Sequence, residues 1–325
     1  MDSAHSSDGM ILRDNVYGNI NEDALRRDFT INALYYTTNG FRVLDFSTGL
    51  DDLEAKQIRI IGDPETRYRE DPVRMLRAVR FAAKLDFEIE KSTAEPIEPL
   101  AELLQSISPA RLFDETLKLF SAGHATKTFQ LLRNSSLGNY IIAPTLESLS
   151  HADEAACRLV DLALENTDKR IAEGKSVTPY FLFAALLWPV FRLGLEREAT
   201  RQPGQRPNYL LIANDAIAEQ LDYTAIPKRI SYASREIWEL QLKLERRNRR
   251  SVTGLLAHPR FRAAYDFLLL REDSGEDLGG CGQWWTDFQF GDTNQQDALL
   301  NTLPNPKKRR KRRRKSSGNS VSGNA

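Results

Sequence analysis

Between Arg69 and Lys84 the sequence reads Arg-Glu-Asp-Pro-Val-Arg-Met-Leu-Arg-Ala-Val-Arg-Phe-Ala-Ala-Lys, which carries more ionic chemistry than a surface helix needs. Asp71 suits a helix N-cap, and Pro72 suits the first helical position, because the N–H it lacks would have no intrahelical acceptor. Leu76, Val79, Phe81, Ala82 and Ala83 then supply an apolar face. Arg74, Arg77 and Arg80 recur every third residue and drift around one side. A carboxylate one turn from an arginine, with two more arginines behind it, offers an acceptor and donors to a polar planar ligand. The same row of guanidiniums can meet phosphates.

A second constellation is Arg26-Arg27-Asp28-Phe29-Thr30-Ile31-Asn32. Two arginines beside an aspartate suit a triphosphate held with a divalent cation, the carboxylate ligating or orienting hydrated Mg²⁺. Asn32 offers an amide to a sugar hydroxyl. Taken alone, the segment also reads as a helix start with a surface charge pair.

A third signal is Lys307, Lys308, Arg309, Arg310, Lys311, Arg312, Arg313, Arg314 and Lys315, nine basic residues in a row. The whole chain has zero net charge, yet removing this run leaves 36 basic against 45 acidic residues. The protein thus divides into an acidic body and a basic tail. So dense a run self-repels and is expected to be disordered, as a tether for a polyanion, nucleic acid before anionic lipid. Arg246, Arg247, Arg249 and Arg250 suit either a helix C-terminus or an RNA backbone. Phe181, Phe183, Trp188 and Phe191 read as core, and Trp284-Trp285 as docked on the helical body rather than stacked on bases.

These groups need a scaffold. A length of 325 residues and 41% hydrophobic content allow two or three subdomains. No apolar run reaches the length of a membrane span, and the N-terminus lacks a signal-peptide pattern. The two cysteines and four histidines match no metal or redox spacing. Residues 1–18 show no element. A helix is expected over 28–34, and strands over 41–46 and 57–61 with a link at 49–53. Beyond residue 64 strand signals nearly vanish. Helices are expected at about 72–85, 93–105, 109–122, 125–133, 152–172, 179–195, 209–221, 227–246, 251–256 and 259–271. A short amphipathic piece follows at 283–288.

Taken together, RRDFTINALYY, a strand pair and IIGDPETRYREDPVRMLRAVRFAAKL resemble the polynucleotide adenylyltransferase and tRNA nucleotidyltransferase family, class II of the polymerase β superfamily. SPARLFDETLKLFSAG at 108–123, AIPKR at 225–229 and HPRFRAAYDFLLLR at 258–271 are most similar to its bacterial poly(A)-adding branch, as is the basic tail. The resemblance covers almost all of residues 10–290. It implies an α+β fold. Part of a polymerase-β-like nucleotidyltransferase head sheet would span 1–62 and a helical neck with base recognition 63–135. A helical RNA-binding body would span 136–290, and a disordered basic tail 291–325.

The resemblance implies transfer of AMP from ATP to RNA 3′ ends, with pyrophosphate released, in cytoplasmic mRNA processing and decay. The implied cofactor is Mg²⁺. RNA 3′ ends and ATP are the implied partners, with RNA-degradation or RNA-chaperone proteins beside them. Asp28 matches a carboxylate assigned to catalysis and is the metal-ligand candidate within this chain. Arg26, Arg27 and Asn32 fall among the sugar and triphosphate contacts. Asp71 and Arg74, in the motif Glu70-Asp71-x-x-Arg74, match side chains that hydrogen-bond the base edge. Arg77 and Arg80 would support the triphosphate or the helix packing.

Two other readings stand beside this one: a CCA-adding nucleotidyltransferase, and an RNA-binding remnant without polymerase activity. The family's Gly-Gly segment and Asp-x-Asp metal motif are not found in the sequence. Asp51-Asp52 is adjacent rather than alternating and is a poor substitute. The resemblance therefore implies an N-terminally truncated chain that, by itself, does not extend RNA.

Overall fold

The computed structural model describes residues 4–5, 11–13 and 19–303, so the basic run at 307–315 lies outside the described residues. Two short strands, β1 (Ala4–His5) and β2 (Ile11–Arg13), pair antiparallel where the sequence showed no element. Helix α1 (Ile20–Arg26) follows, also unforeseen. It has a capping box: Asn19 Oδ1 accepts from the Glu22 N–H at 2.9 Å, and Glu22 accepts from the Asn19 N–H at 3.1 Å.

The helix expected over 28–34 does not form. The Thr30 N–H donates to the Arg59 carbonyl at 3.0 Å, and the Ile61 N–H to the Asp28 carbonyl at 2.9 Å. Phe29 is fully buried in this strand-like pairing, and tertiary packing outweighs local helix propensity. A 3₁₀ turn at Thr30–Asn32 leads into β3 (Leu34–Thr37). That strand pairs antiparallel with β4 (Arg42–Asp45), in register from Leu34↔Asp45 to Thr37↔Arg42. The expected strand at 41–46 thus finds its partner upstream. The link at 49–53 is helix α2 (Gly49–Glu54), and β5 (Gln57–Ile58) pairs in parallel with β6 (Glu88–Ile89).

Helix α3 (Pro64–Glu70) starts from an Asp63 N-cap, and α4 (Val73–Leu85) follows after a sharp break. Asp71 closes α3 rather than capping α4, and Pro72 stands one position earlier than expected. Asp71 still accepts from the Val73 N–H at 3.3 Å. The single helix expected over 93–105 is α5 (Lys91–Ala94), α6 (Ile97–Leu100) and a 3₁₀ stretch at Ala101–Ser106. Pro96 and Pro99 lack the N–H groups a continuous ladder requires. Then come α7 (Pro109–Phe120), α8 (Ala125–Arg133), α9 (Gly138–Ile141) and α10 (Ala143–Leu149).

The remaining helices are α11 (Glu154–Ala172), α12 (Pro179–Leu186), α13 (Trp188–Arg201), α14 (Tyr209–Leu221) and α15 (Lys228–Arg246). They are followed by α16 (Val252–Leu256), α17 (Phe261–Asp273), α18 (Cys281–Phe290) and α19 (Thr293–Thr302). The helix expected over 179–195 is split, with Pro189 in the first turn of α13. Disorder was expected from residue 291, but α19 forms there behind an Asp292–Gln295 capping box.

Apolar packing gathers these elements into three main clusters. The first holds α4, α6, α8 and α9, together with Val160, Leu164, Leu182 and Leu186, so it crosses the expected boundary at 135/136. The second centres on α12, α13, α14 and Trp238, and the third on Tyr265, Trp285 and Phe288. Phe183, Trp188 and Phe191 are core, with Phe181 packed against them, and Trp284 and Trp285 are buried against the body. Among the described residues, no helix is long and apolar enough to cross a membrane.

Candidate nucleotide site

The break between α3 and α4 aims their arginines back at the segment before the 3₁₀ turn. Arg67, one helical turn before Asp71, reaches across to Arg26 and Arg27. Its Nη2 donates to both carbonyls, at 3.1 and 3.0 Å, and its Nη1 meets Glu70 at 2.8 Å. That strap fixes the backbone leading to Asp28. Burial pushes the Arg67 guanidinium below the usual arginine range, and neighbouring Arg74 adds to the shift.

Asp28 is buried between two guanidiniums. Arg74 Nε donates to Oδ1 at 3.0 Å, and Arg77 Nη1 stands 2.6 Å from Oδ2. Arg74 is also held from below, Nη1 donating to Glu70 at 2.9 Å and to the Arg67 carbonyl at 2.8 Å. The two arginines differ in access: the Arg77 side chain is 35% exposed and that of Arg74 only 5%. Arg77 Nε is buried with no protein partner, which leaves donor capacity in the cluster.

Helix α7 forms the opposite wall. Arg111 Nη2 holds Asp71 Oδ2 at 2.7 Å, while Glu115, one turn on, faces Arg80 at 3.5 Å and Lys118 at 2.7 Å. Burial lowers the Arg80 pKa, against the pull of Glu115. Arg27 stays open, paired with Asp23 at 3.0 Å and lying over the Tyr35 ring. Asn32 is half-buried on the 3₁₀ turn, and Arg26 half-buried at the end of α1.

The structure therefore brings Asp28, Arg74 and Arg77 together, with Asp71 just before α4 and Arg80 further along it. It does not place Asp71 and Arg74 side by side as an open pair, because Arg74 turns inward. Arg67, Glu70, Arg111 and Glu115 organise the site; of these the sequence named only Glu70, as the first residue of its motif. Arg67 and Glu70 are an i, i+3 pair on α3, and the break after Glu70 brings Arg74 of α4 onto the same carboxylate. Arg111, forty positions from Asp71, carried no local signal.

The described residues do not fit a Mg²⁺ centre. Both Asp28 oxygens face guanidiniums, and among the described residues no group of three or more His, Cys, Asp or Glu could hold a metal ion. In this arrangement Asp28 is engaged by Arg74 and Arg77 rather than open to a metal ion. Asp52 is likewise structural, accepting from Thr30 at 2.7 Å, Thr48 at 2.9 Å and Arg59 at 3.0 Å. At the far end of the body, Arg249 donates to Asn301 of α19 at 3.1 Å, and Arg247 lies over Trp284.

Comparison with known proteins sets this geometry in a family. A model described as "Poly A polymerase head domain" matches residues 3–59, and one for a "probable RNA and SrmB-binding site of polymerase A" matches 86–149. A third, for the arginine-rich C-terminus of polymerase A, matches 205–317. The poly(A) polymerase I of Salmonella typhi is 46% identical over 95% of this chain and 68% of its own length. The chain belongs to the poly(A) polymerase family. The Haemophilus influenzae poly(A) polymerase I is 43% identical over 94% of the chain and 69% of its own length. A CCA-adding enzyme of Lactobacillus helveticus matches at 42% over only 37% of the chain and 30% of its own length.

The family's nucleotidyltransferase fold is also visible in solved structures. A CCA-adding enzyme in its apo form II superposes with a TM-score of 0.55, at 18% identity, covering 93% of this chain and 68% of that one. The Bacillus stearothermophilus CCA-adding enzyme with CTP gives 0.52 at 21% identity, covering 84% of this chain and 60% of that one.

Proposed function

We propose that this chain acts in the transfer of AMP from ATP to RNA 3′ ends, with pyrophosphate released, in cytoplasmic mRNA processing and decay, its described residues supplying nucleotide and RNA contacts. What supports this most is the continuous match to poly(A) polymerases along 95% of the chain, against 37% for a CCA-adding relative. The nucleotide seats against the start of α4. Its triphosphate competes with Asp28 for Arg77, the more open of the two guanidiniums, while Arg27 supplies a second cation. Arg74 braces Asp28 from beneath, and Arg67 fixes the strand that carries it. Asp71, held by Arg111, accepts from the exocyclic amino group of adenine. Asn32 meets the sugar, and Arg80 is kept in line by Glu115.

In the reaction, the RNA 3′-oxygen forms a bond to the α-phosphorus as the α–β bridging bond breaks, and the hydroxyl proton is released. Beyond RNA and ATP, proteins of RNA degradation or RNA chaperoning are the proposed partners.

The reading is tested by incubating the chain with RNA and each nucleotide triphosphate, with and without Mg²⁺, and sequencing the products. Homopolymeric A tails support it, and discrete CCA ends replace it with the CCA-adding reading. RNA and ATP bound with no extension is the outcome the sequence leads one to expect of these 325 residues by themselves and confines the chain to binding in that reaction, whereas loss of ATP binding overturns the reading.

A further inference from the structure

We propose that the outer face of α15 is a track for single-stranded RNA running back from the nucleotide site, with Tyr232 as a base-stacking residue. The inference rests on the function proposed above and adds a surface to it. Tyr232 lies in the first half of α15 and is 60% exposed. The Arg235 guanidinium lies 4.4 Å from the ring centroid and is itself held by the Asn214 side-chain oxygen. An aromatic face beside a guanidinium is the pairing that stacks on an unpaired base while holding its phosphate.

The charges along the helix support the same use. Lys228 and Arg229 are exposed in its first turn, where no acidic residue stands. Cations there oppose the helix macrodipole, so they are not placed for stability. Lys243 and Arg246 continue the positive charge into the last turn. At the helical pitch, Lys228, Tyr232, Arg235, Lys243 and Arg246 share a stripe about 80° wide and about 28 Å long. Two acidic residues of α15 are turned to other work, Glu236 facing Arg260 at 3.4 Å and Glu245 facing Arg271 at 2.6 Å. Glu239 interrupts the stripe.

Both ends of the track connect to the right places. Three residues before α15, the Ala225 N–H donates to the Pro109 carbonyl at 3.0 Å. Pro109 opens α7, and Arg111 on that first turn holds Asp71. At the other end, Arg249 reaches α19 at Asn301, and in the sequence the basic run starts at Lys307, shortly after that helix ends. RNA laid on this face thus passes from the nucleotide site toward the base of the cationic segment.

The test uses the full chain and a 20-nucleotide oligo(A) followed by fluorescence anisotropy across a salt series, with thermal melting as the folding control. Tyr232→Ala is expected to weaken binding about tenfold, and Tyr232→Phe, which keeps the ring, to bind as the unsubstituted chain does. Replacing Lys228, Arg229 and Lys243 together by Gln is expected to lower the slope of log affinity against log salt by about two. 4-Thiouridine in the oligonucleotide should crosslink to peptides from 228–246. Unchanged affinity and slope in these variants, with crosslinks elsewhere, would overturn the track. Loss of ATP binding alongside RNA binding that depends on Tyr232 would sink the proposed function and leave the track standing.

Discussion

Asp28 shows how one carboxylate can hold a site together before any ligand arrives. Its two oxygens share one negative charge between Arg74 and Arg77, Glu70 supplies the second, and Arg74 is almost wholly buried. Removing one partner of a buried pair leaves the other charge unmatched in low dielectric, which costs more than the pair's net contribution. Asp28→Ala is therefore expected to lower unfolding stability by about 3 kcal/mol in urea titrations, less the share that Glu70 still neutralises. Arg77→Ala, at a more open position, should cost under about 1 kcal/mol while weakening ATP binding. Equal losses for the two variants would show that Arg74 does not depend on Asp28. The sequence made this cluster's members visible, because Arg-Arg-Asp and Glu-Asp-x-x-Arg are dense in donors and acceptors. It did not show which arginine turns inward, since that depends on the break between α3 and α4.

At the scale of elements, the least legible region was the run from residue 19 to 62. The capping box at Asn19 and Glu22 was local and readable, but the pairing of 28–30 with 59–61 was not, because its stabilisation comes from a segment thirty residues away. Helices with long amphipathic patterns, such as α8 and α14, matched their expected bounds. The short α5 illustrates how such small elements are kept in place. Its N-cap, Glu90, accepts from Ser92 Oγ at 2.6 Å and from the Thr93 N–H at 3.1 Å, and faces Arg59 beside β5 at 3.3 Å. Partial burial works against ionisation, yet these donors hold the Glu90 pKa down to about 2 from an ordinary 4.5. A depressed carboxylate contributes stability above its unfolded pKa and loses it as pH falls through the folded value. Thermal melts should therefore show a loss between pH 4.5 and 2 that is shallower in Glu90→Gln. Identical pH profiles for the two proteins would refute the assignment.

Across the whole molecule, the helical body is pinned by charge as well as by apolar packing. Arg271 meets Glu245 at 2.6 Å and Glu276 at 2.7 Å, and lies over Trp188, while Arg192 joins Glu276 to Asp153 at the start of α11. Little of this was legible in the sequence, because the partners come from four separate stretches. Cys281 is buried in the third cluster, and burial pushes its thiol up to about 11, whereas Cys157 is only half-buried. A neutral alkylating reagent is expected to modify Cys157 in the native protein and Cys281 only on unfolding. Mass spectrometry of peptides taken over time checks this, and early labelling of Cys281 would contradict it.

Helix α7 belongs to two cores at once. Leu112, Leu119 and Phe120 enter the first, while neighbouring Phe113 enters the second and stacks on Phe183. Its two sides are thus cemented into different halves of the chain, and its exposed first turn carries Arg111. In mechanical terms α7 is a dowel: strain in the body can reach the carboxylate of Asp71 without passing through a flexible joint. A pull on the body would tilt the first turn of α7 and, through Arg111, the carboxylate of Asp71 that the proposed function sets against adenine.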